Sequence, residues 1–227
     1  MIQPTYVDEF TRDISFTPDS TALVVVDMQH ASGSREHGLG RLLAERGTLD
    51  SAAYRFDRID QLIVPNTQRL LTCFRSVDAL IVYITLGPTL PDYSDAPAHL
   101  RKWFEATRNH VGRPEHEIVP ALAPQPGDVV LNKTTIGAFG STAIDSVLRA
   151  RGIEEIVVTG VSTNNCVGMT AMEAADRQYG AALVSDATGT CSDAMQEATL
   201  TSFRRLWGRV ATTDEVIAEI TGRAASS

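Results

Sequence analysis

Residues 21–27 read TALVVVD, a continuous apolar and largely β-branched run that ends in one acidic residue, Asp27. Such a run is typical of a strand buried on both faces, as in a parallel sheet covered by helices on either side. Comparable apolar runs predict further strands at 78–86, 127–132, 155–160 and 181–186, with a short one at 209–211. The sequence therefore predicts six strands in a mainly parallel sheet.

Helical patterns separate these strands. Apolar residues recur on one helical face over 59–74, and Ser141 stands where it could cap a helix that Gly152 ends. Further helices are predicted over 166–178, 193–206 and 214–221. Alternating strands and helices favour right-handed crossovers. The expected fold is α/β, a three-layer αβα arrangement with a doubly wound, mainly parallel six-stranded sheet, in one domain over 1–227.

Two long connections interrupt this alternation. Residues 30–54 form a polar, glycine-containing stretch, and residues 87–126 carry most of the prolines together with Tyr93, Trp103 and Phe104. We interpret 87–126 as an excursion over the surface with short helices, part of a lid or a subunit contact. Long connections in compact domains are often functional. We expect these two stretches to determine substrate specificity.

The overall composition excludes several classes of protein. A net charge of −8 argues against nucleic acid or an anionic membrane as the main partner. The three cysteines are widely spaced, which predicts neither a disulfide framework nor a structural zinc site and favours a reduced, cytoplasmic protein. The first 15 residues lack the apolar run of a signal peptide, and no stretch approaches the roughly 18 apolar residues of a membrane span.

Three reactive side chains are expected at one edge of the sheet. Asp27 ends the first strand, Lys133 follows the third, and Cys166 comes after the fourth and a short loop. The carboxyl ends of parallel strands meet at the same edge, where α/β folds bind their ligands. A helix start at Cys166 and a nearby Lys133 ammonium would lower the thiol pKa, and a partly desolvated Asp27 could accept a proton.

Each of these residues alone has a more ordinary explanation. A lone cysteine is usually a buried spectator, an aspartate at the end of a strand is usually a cap or a turn former, and a lysine after a strand is usually a solvated charge. Their convergence at one edge favours a nucleophile, a base and an electrostatic activator.

Four segments resemble a known family. VVVDMQ at 24–29, NKTTIGAFGST at 132–142, TGVSTNNCVGMTAMEA at 159–174 and DAT at 186–188 are similar to shared blocks of the isochorismatase-like cysteine hydrolases. The resemblance spans about residues 20–215. The cysteine block is the most specific of the four.

The resemblance implies a catalytic triad of Asp27, Lys133 and Cys166. It also implies a cis peptide between Val161 and Ser162 that helps to aim the backbone N–H groups of Ser162 and Cys166 at a developing oxyanion. Members of the family commonly assemble as homodimers or homotetramers. Nicotinamidases in the family bind a metal through an Asp-x-His motif after the second strand, but here residues 85–88 read TLGP, so neither a catalytic metal nor another cofactor is expected.

Other candidates are weaker. Asn165 could contact the substrate or the backbone of the turn, Gln29 is expected to orient the loop after Asp27, and Phe139 could line the pocket or simply pack. The five histidines show no ligand spacing and are expected at the surface or in the lid, although two of them follow Asp27 closely enough to reach the pocket: His30, His37, His99, His110 and His116.

The predicted activity is hydrolysis of a small amide through a thioester. Because the family's vinyl-ether hydrolases often lack the cysteine, its presence here favours biuret, ureido acids, maleamate, N-carbamoyl amino acids or nicotinamide as substrates, with the biuret and ureido branch preferred. Two alternatives stay open: a vinyl-ether hydrolase of the isochorismatase type that uses Asp27 as the acid without a thiol, and a binding protein that kept the fold.

Overall fold

Six parallel strands form the centre of the molecule. The computed structural model describes residues 8–222. The first seven of the 15 residues that were predicted not to form a signal peptide lie outside this range. In chain order the strands are β1 Thr21–Val26, β2 Ile81–Leu86, β3 Val129–Lys133, β4 Glu155–Val161, β5 Gly180–Gly189 and β6 Arg209–Ala211. They pair in the order β3-β2-β1-β4-β5-β6, and every pairing is parallel. The α/β fold class is confirmed.

Helices connect the strands and cover the sheet. They are α1 His30–Gly33, α2 Gly38–Glu45, α3 Ala53–Arg58, α4 Val64–Ser76, α5 Ala98–Thr107, α6 Ile144–Ala150, α7 Gly168–Ala175, α8 Asp193–Arg204 and α9 Thr213–Ile220. Two π-helical segments, Ile59–Ile63 and Thr163–Val167, lead into α4 and α7. Short 3₁₀ segments lie at Asp8–Phe10, Leu49–Ala52, Pro114–His116 and Pro120–Leu122. Across residues 8–222, none of the helices has the length and apolarity to cross a membrane.

Strand β1 shows why the sequence folds this way. All six of its residues are buried. Val24 and Val26 belong to one hydrophobic cluster, whereas Leu23 and Val25 belong to the cluster on the opposite face. Because successive side chains of a strand point to opposite faces, an uninterrupted apolar run is required only when helices cover both sides.

Several local predictions were wrong. No helix was predicted within residues 30–54, where α1, α2 and a 3₁₀ segment form and lead into α3. The helix predicted to begin at 59 starts at Ala53 and continues through a π segment into α4. Ser141 does not cap α6; its Oγ accepts hydrogen bonds from the backbone N–H groups of Thr134 and Thr135. It therefore shapes the turn after β3, while the Thr142 hydroxyl accepts from the N–H of Ile144.

Candidate active site

Asp27 stands directly after β1, at the carboxyl edge of the sheet. Its φ of +52° is unusual for a residue with a side chain. Its backbone N–H donates to the Ile84 carbonyl over 2.8 Å, and the Ser32 hydroxyl donates to its carbonyl. A Cβ added at neighbouring Gly160 would come within 2.0 Å of the Val26 carbonyl oxygen. Glycine at 160 therefore allows β4 to approach β1 at the point where Asp27 leaves the strand.

A buried ion pair joins Asp27 to Lys133, the last residue of β3. The Lys133 Nζ lies 3.0 Å from Asp27 Oδ2, and the side chains are 0% and 4% exposed. The second carboxylate oxygen, Oδ1, is also buried and has no hydrogen-bond partner within residues 8–222. A buried charge is costly unless it is paired, and a buried acceptor without a donor is costly as well. Lys133 thus stabilises one oxygen and leaves the other open to a proton.

Cys166 lies on the π segment Thr163–Val167 rather than at the first turn of a helix beginning at 166. The N–H groups of Asn165 and Val167 donate to the Ser162 carbonyl over 2.9 and 3.3 Å, which closes the turn before the thiol. The side chain is buried, with 6% exposure.

The expected low thiol pKa was wrong. Burial, followed by the neighbouring Asp27 carboxylate, raises the pKa of Cys166, and the Lys133 ammonium opposes this only in part. Burial also raises the pKa of Asp27, against the opposing effect of the Lys133 charge. The Cys166 thiol, with its raised pKa, keeps its proton against solvent and can donate it. The neighbouring Asp27 carboxylate, with its raised pKa, is able to accept that proton. The resting site is therefore suited to moving one proton between Cys166 and Asp27 rather than to holding a permanent thiolate.

The peptide bond between Val161 and Ser162 is cis. Both residues line a cavity of about 200 Å³, and Asp27, Gln29, Asn165 and Cys166 line it as well. Most of the predicted site residues are thus brought together around one cavity.

Two predicted residues lie outside the cavity wall. Lys133 is completely buried beneath Asp27. Phe139 does not contact the cavity; its ring packs 5.9 Å from that of Tyr179, the Arg177 guanidinium lies 5.1 Å from it, and its N–H donates to Glu173. The assignment of Phe139 to substrate binding was therefore wrong. The glycine-containing turn directs it towards α7 instead.

Gln29 connects the end of β2 to the 87–126 excursion. Its side-chain carbonyl accepts from the Leu86 N–H over 2.7 Å, and its amide donates to the His116 carbonyl over 2.7 Å. The His116 ring in turn lies 2.7 Å from the Asn132 amide oxygen, a contact that sequence reasoning missed. A Cβ at Gly87 would fall 2.6 Å from this ring. Side chains of the protein thus fill the space after β2, and no cluster of three metal-ligating residues occurs among residues 8–222.

Most of the remaining cavity wall is apolar, and the two long connections supply part of it. Leu39 of α2 belongs to the 30–54 stretch, and Leu100 and Trp103 of α5 belong to the 87–126 excursion. The rings of His30 and His37 contact each other in a tilted arrangement, with centroids 4.6 Å apart and planes at 50°, and neither lines the cavity.

Arg55 of α3 also lines the cavity, and sequence reasoning did not find it. Its Nε and Nη2 donate to the Ser32 carbonyl over 3.2 and 3.0 Å, and its Nη1 donates to the Ser162 hydroxyl over 2.8 Å. The signal in the sequence was an arginine between apolar core residues of one helix. That signal is weak, because a surface arginine produces the same pattern.

Comparisons with known proteins identify relatives of the chain and structures of similar fold. A family model described as the isochorismatase domain matches residues 21–215. A ureidoacrylate amidohydrolase of Rhizobium rhizogenes is 32% identical over 222 residues, covering 91% of this chain and 86% of the relative. The crystal structure of a cysteine hydrolase from Pseudomonas syringae pv. phaseolicola is similar with a TM-score of 0.78 and 28% identity, covering 98% of this chain and 99% of that one. The N-carbamoylsarcosine amidase of Thermoplasma acidophilum has a TM-score of 0.64 and 28% identity, with 86% and 97% coverage.

Proposed function

Since the chain belongs to the isochorismatase family, we propose that it cleaves a C–N bond of a small amide or ureido compound through a thioester on Cys166. It is a hydrolase of carbon–nitrogen bonds other than peptide bonds, as its amidohydrolase relatives are. The proposal has two specific parts: catalysis through the Cys166 thiol, and a substrate of the ureido or biuret class.

One observation carries the cysteine route. Asp27 has one oxygen held by Lys133 and a second, buried oxygen without a partner, beside a buried thiol. A carboxylate arranged in this way can take the thiol proton without breaking its ion pair. The small cavity, below the roughly 300–1,000 Å³ of pockets for drug-sized ligands, suits a compact substrate.

The proposed reaction has two halves. Asp27 accepts the Cys166 proton as the sulfur attacks the substrate carbonyl, and a C–S bond forms. The tetrahedral intermediate then collapses with cleavage of the C–N bond, and Asp27 returns the proton to the departing nitrogen. In the second half a water molecule gives a proton to Asp27 and attacks the thioester. The C–S bond breaks, the acid is released, and Asp27 returns the proton to the Cys166 sulfur.

The charge that develops on the carbonyl oxygen also needs stabilisation. In the proposed mechanism the backbone N–H groups of Ser162 and Cys166 supply it, and each such donor typically contributes about 3 kcal/mol. Lys133 keeps Asp27 in position and balances its charge throughout the cycle.

Replacement of the nucleophile tests the proposal. The change Cys166→Ala should abolish ammonia release from a panel of biuret, ureidoacrylate, maleamate, N-carbamoyl amino acids and nicotinamide. The matched change Cys191→Ala, at an exposed cysteine, should leave the rate within about two-fold. In Cys166→Ser, mass spectrometry of the protein with substrate should detect an acyl ester. Full ammonia release by Cys166→Ala would overturn the thioester route, whereas a wild-type enzyme that releases no ammonia from the panel but hydrolyses isochorismate would favour vinyl-ether hydrolysis.

We also propose that the chain assembles as a homodimer or homotetramer. Exposed apolar side chains of Phe10, Leu206 and Trp207 line one surface groove. Large apolar patches on a monomer often mark an interaction surface. Light scattering coupled to size exclusion measures the mass directly, and a mass near 24.6 kDa at micromolar concentration would contradict the assembly.

A further inference from the structure

Arg55 carries the only formal positive charge among the side chains that line the cavity, all of which belong to residues 8–222. The other charged group in the wall is Asp27, and Lys133 already neutralises it from below. The cavity as a whole thus retains one positive charge without a counterion. This occurs in a protein whose formal net charge is −8.

The partners of Arg55 are neutral. Within residues 8–222 it forms no ion pair with a carboxylate, and its three recorded hydrogen bonds go to the Ser32 carbonyl and the Ser162 hydroxyl. A guanidinium has five N–H donors in a planar fork. Two donors, one on each terminal nitrogen, therefore have no partner within residues 8–222, and N–H groups on both terminal nitrogens can bind a carboxylate.

The position of Arg55 relates this charge to the reacting carbonyl. Its Nη1 contacts Ser162, which lies four residues before Cys166 on the same turn. Arg55 and Cys166 also line the same cavity of about 200 Å³, so an anion at Arg55 and a carbonyl at the Cys166 sulfur would be separated by only a short chain of atoms. The apolar wall of Leu100 and Trp103 suits the carbon atoms between them.

From this arrangement we propose that Arg55 binds a carboxylate of the substrate, and that the physiological substrate is a short ureido or carbamoyl acid rather than a neutral amide. The inference rests on the proposed function, since it identifies the substrate class of the same site. Biuret and nicotinamide, which carry no carboxylate, would leave the charge of Arg55 uncompensated.

A pair of substrates with the same carbon frame isolates this interaction. Ureidoacrylate and its uncharged carboxamide differ only in the group proposed to meet Arg55. The wild-type enzyme should prefer the acid by about 100-fold in kcat/KM, because a charged hydrogen-bonded pair is lost with the amide. In Arg55→Gln, kcat/KM for the acid should fall about 100-fold, mainly through KM, while kcat/KM for the carboxamide should change by less than about three-fold. Arg55→Lys keeps the charge but loses the planar guanidinium, so its kcat/KM for the acid should lie between those of the wild type and Arg55→Gln.

Arg58 supplies a matched control. It lies on the same helix, and its guanidinium also donates to backbone carbonyls, those of Ser185 and Thr188, but it does not line the cavity. Arg58→Gln should leave the preference for the acid unchanged. Thermal unfolding of each variant shows whether it is folded.

The outcomes are distinguishable. If Arg55→Gln lowers turnover of the acid and the carboxamide equally, Arg55 only positions the turn at Ser162, and the substrate-class inference is overturned while the amidohydrolase proposal stands. A wild-type enzyme that prefers the carboxamide overturns it as well. If the wild-type enzyme cleaves neither compound nor any other member of the amide panel, the proposed function itself is wrong.

Discussion

Two carboxylates lie at opposite edges of the sheet, each with a cation about 3 Å away. Asp27 follows β1 at the carboxyl edge, with the Lys133 Nζ at 3.0 Å. Asp128 precedes β3 at the amino edge, with an Arg75 Nη2 at 2.6 Å. Asp128 Oδ2 also accepts from the Gln125 N–H, and neither of its oxygens is both buried and without a partner. Asp27 has a buried oxygen that receives no hydrogen bond.

In the proposed mechanism, this difference separates a structural carboxylate from a reactive one. The Arg75 guanidinium and the Gln125 N–H hold the Asp128 carboxylate in place and fix the turn before β3. The open oxygen of Asp27 costs free energy in the folded state, since a buried acceptor is left unsatisfied. Such a cost is expected at sites where a protein retains a group for chemistry rather than for stability.

The largest expected effect is on turnover. Asp27→Asn keeps the shape of the side chain but removes the proton acceptor, so kcat/KM should fall about 10⁴-fold. Asp128→Asn should change kcat/KM by less than about three-fold, because Asp128 lies at the amino ends of the strands, opposite to Asp27. Steady-state ammonia release with a ureido acid measures both. If both variants lose kcat/KM to the same extent, Asp27 has no catalytic role that Asp128 lacks.

A smaller effect is expected on the free energy of unfolding. Lys133→Met leaves the buried Asp27 without its cation and should destabilise the protein by about 3–5 kcal/mol. Arg75 is 25% exposed, and the Asp128 side chain, although only 7% exposed, keeps its hydrogen bond from the Gln125 N–H in Arg75→Met. The cost should therefore be smaller, about 1 kcal/mol. Urea denaturation followed by circular dichroism gives both values. If the Lys133→Met protein is as stable as the wild type, the charge of Lys133 does not contribute to the free energy of unfolding.

The contrast between the two edges also explains what the sequence could predict. Apolar runs end at Asp27 and Lys133, and parallel strand ends converge, so the pattern alone predicts their proximity. The pKa of Cys166 was predicted in the wrong direction because the helix start is visible in the sequence, whereas the depth of burial and the distance to Asp27 depend on tertiary packing.

The cavity wall was harder to predict for the same reason. Leu39 and Trp103 reach the cavity from the stretches 30–54 and 87–126, whose elements are held by contacts distant in sequence. Arg41 of α2, for example, donates to the Ala106 carbonyl of α5. No local periodicity reports such a contact. Arg55 was missed because an arginine beside apolar helix positions is far more often a surface residue.

The smallest expected effect is on the pH dependence of kcat/KM, which reports the pKa values of groups in the free enzyme. Asp27 acts as a base only when deprotonated, so activity should be lost as the pH falls through its folded-state pKa. Burial raises that pKa above the ordinary value of 3.8, so the midpoint of the acid limb should lie above 3.8 while circular dichroism still reports a folded protein. Lys133 lowers the pKa of Asp27, so the limb should move to still higher pH in Lys133→Met and stay unchanged in Asp128→Asn. If Asp128→Asn shifts the acid limb of kcat/KM and Lys133→Met does not, Asp27 is not the titrating base.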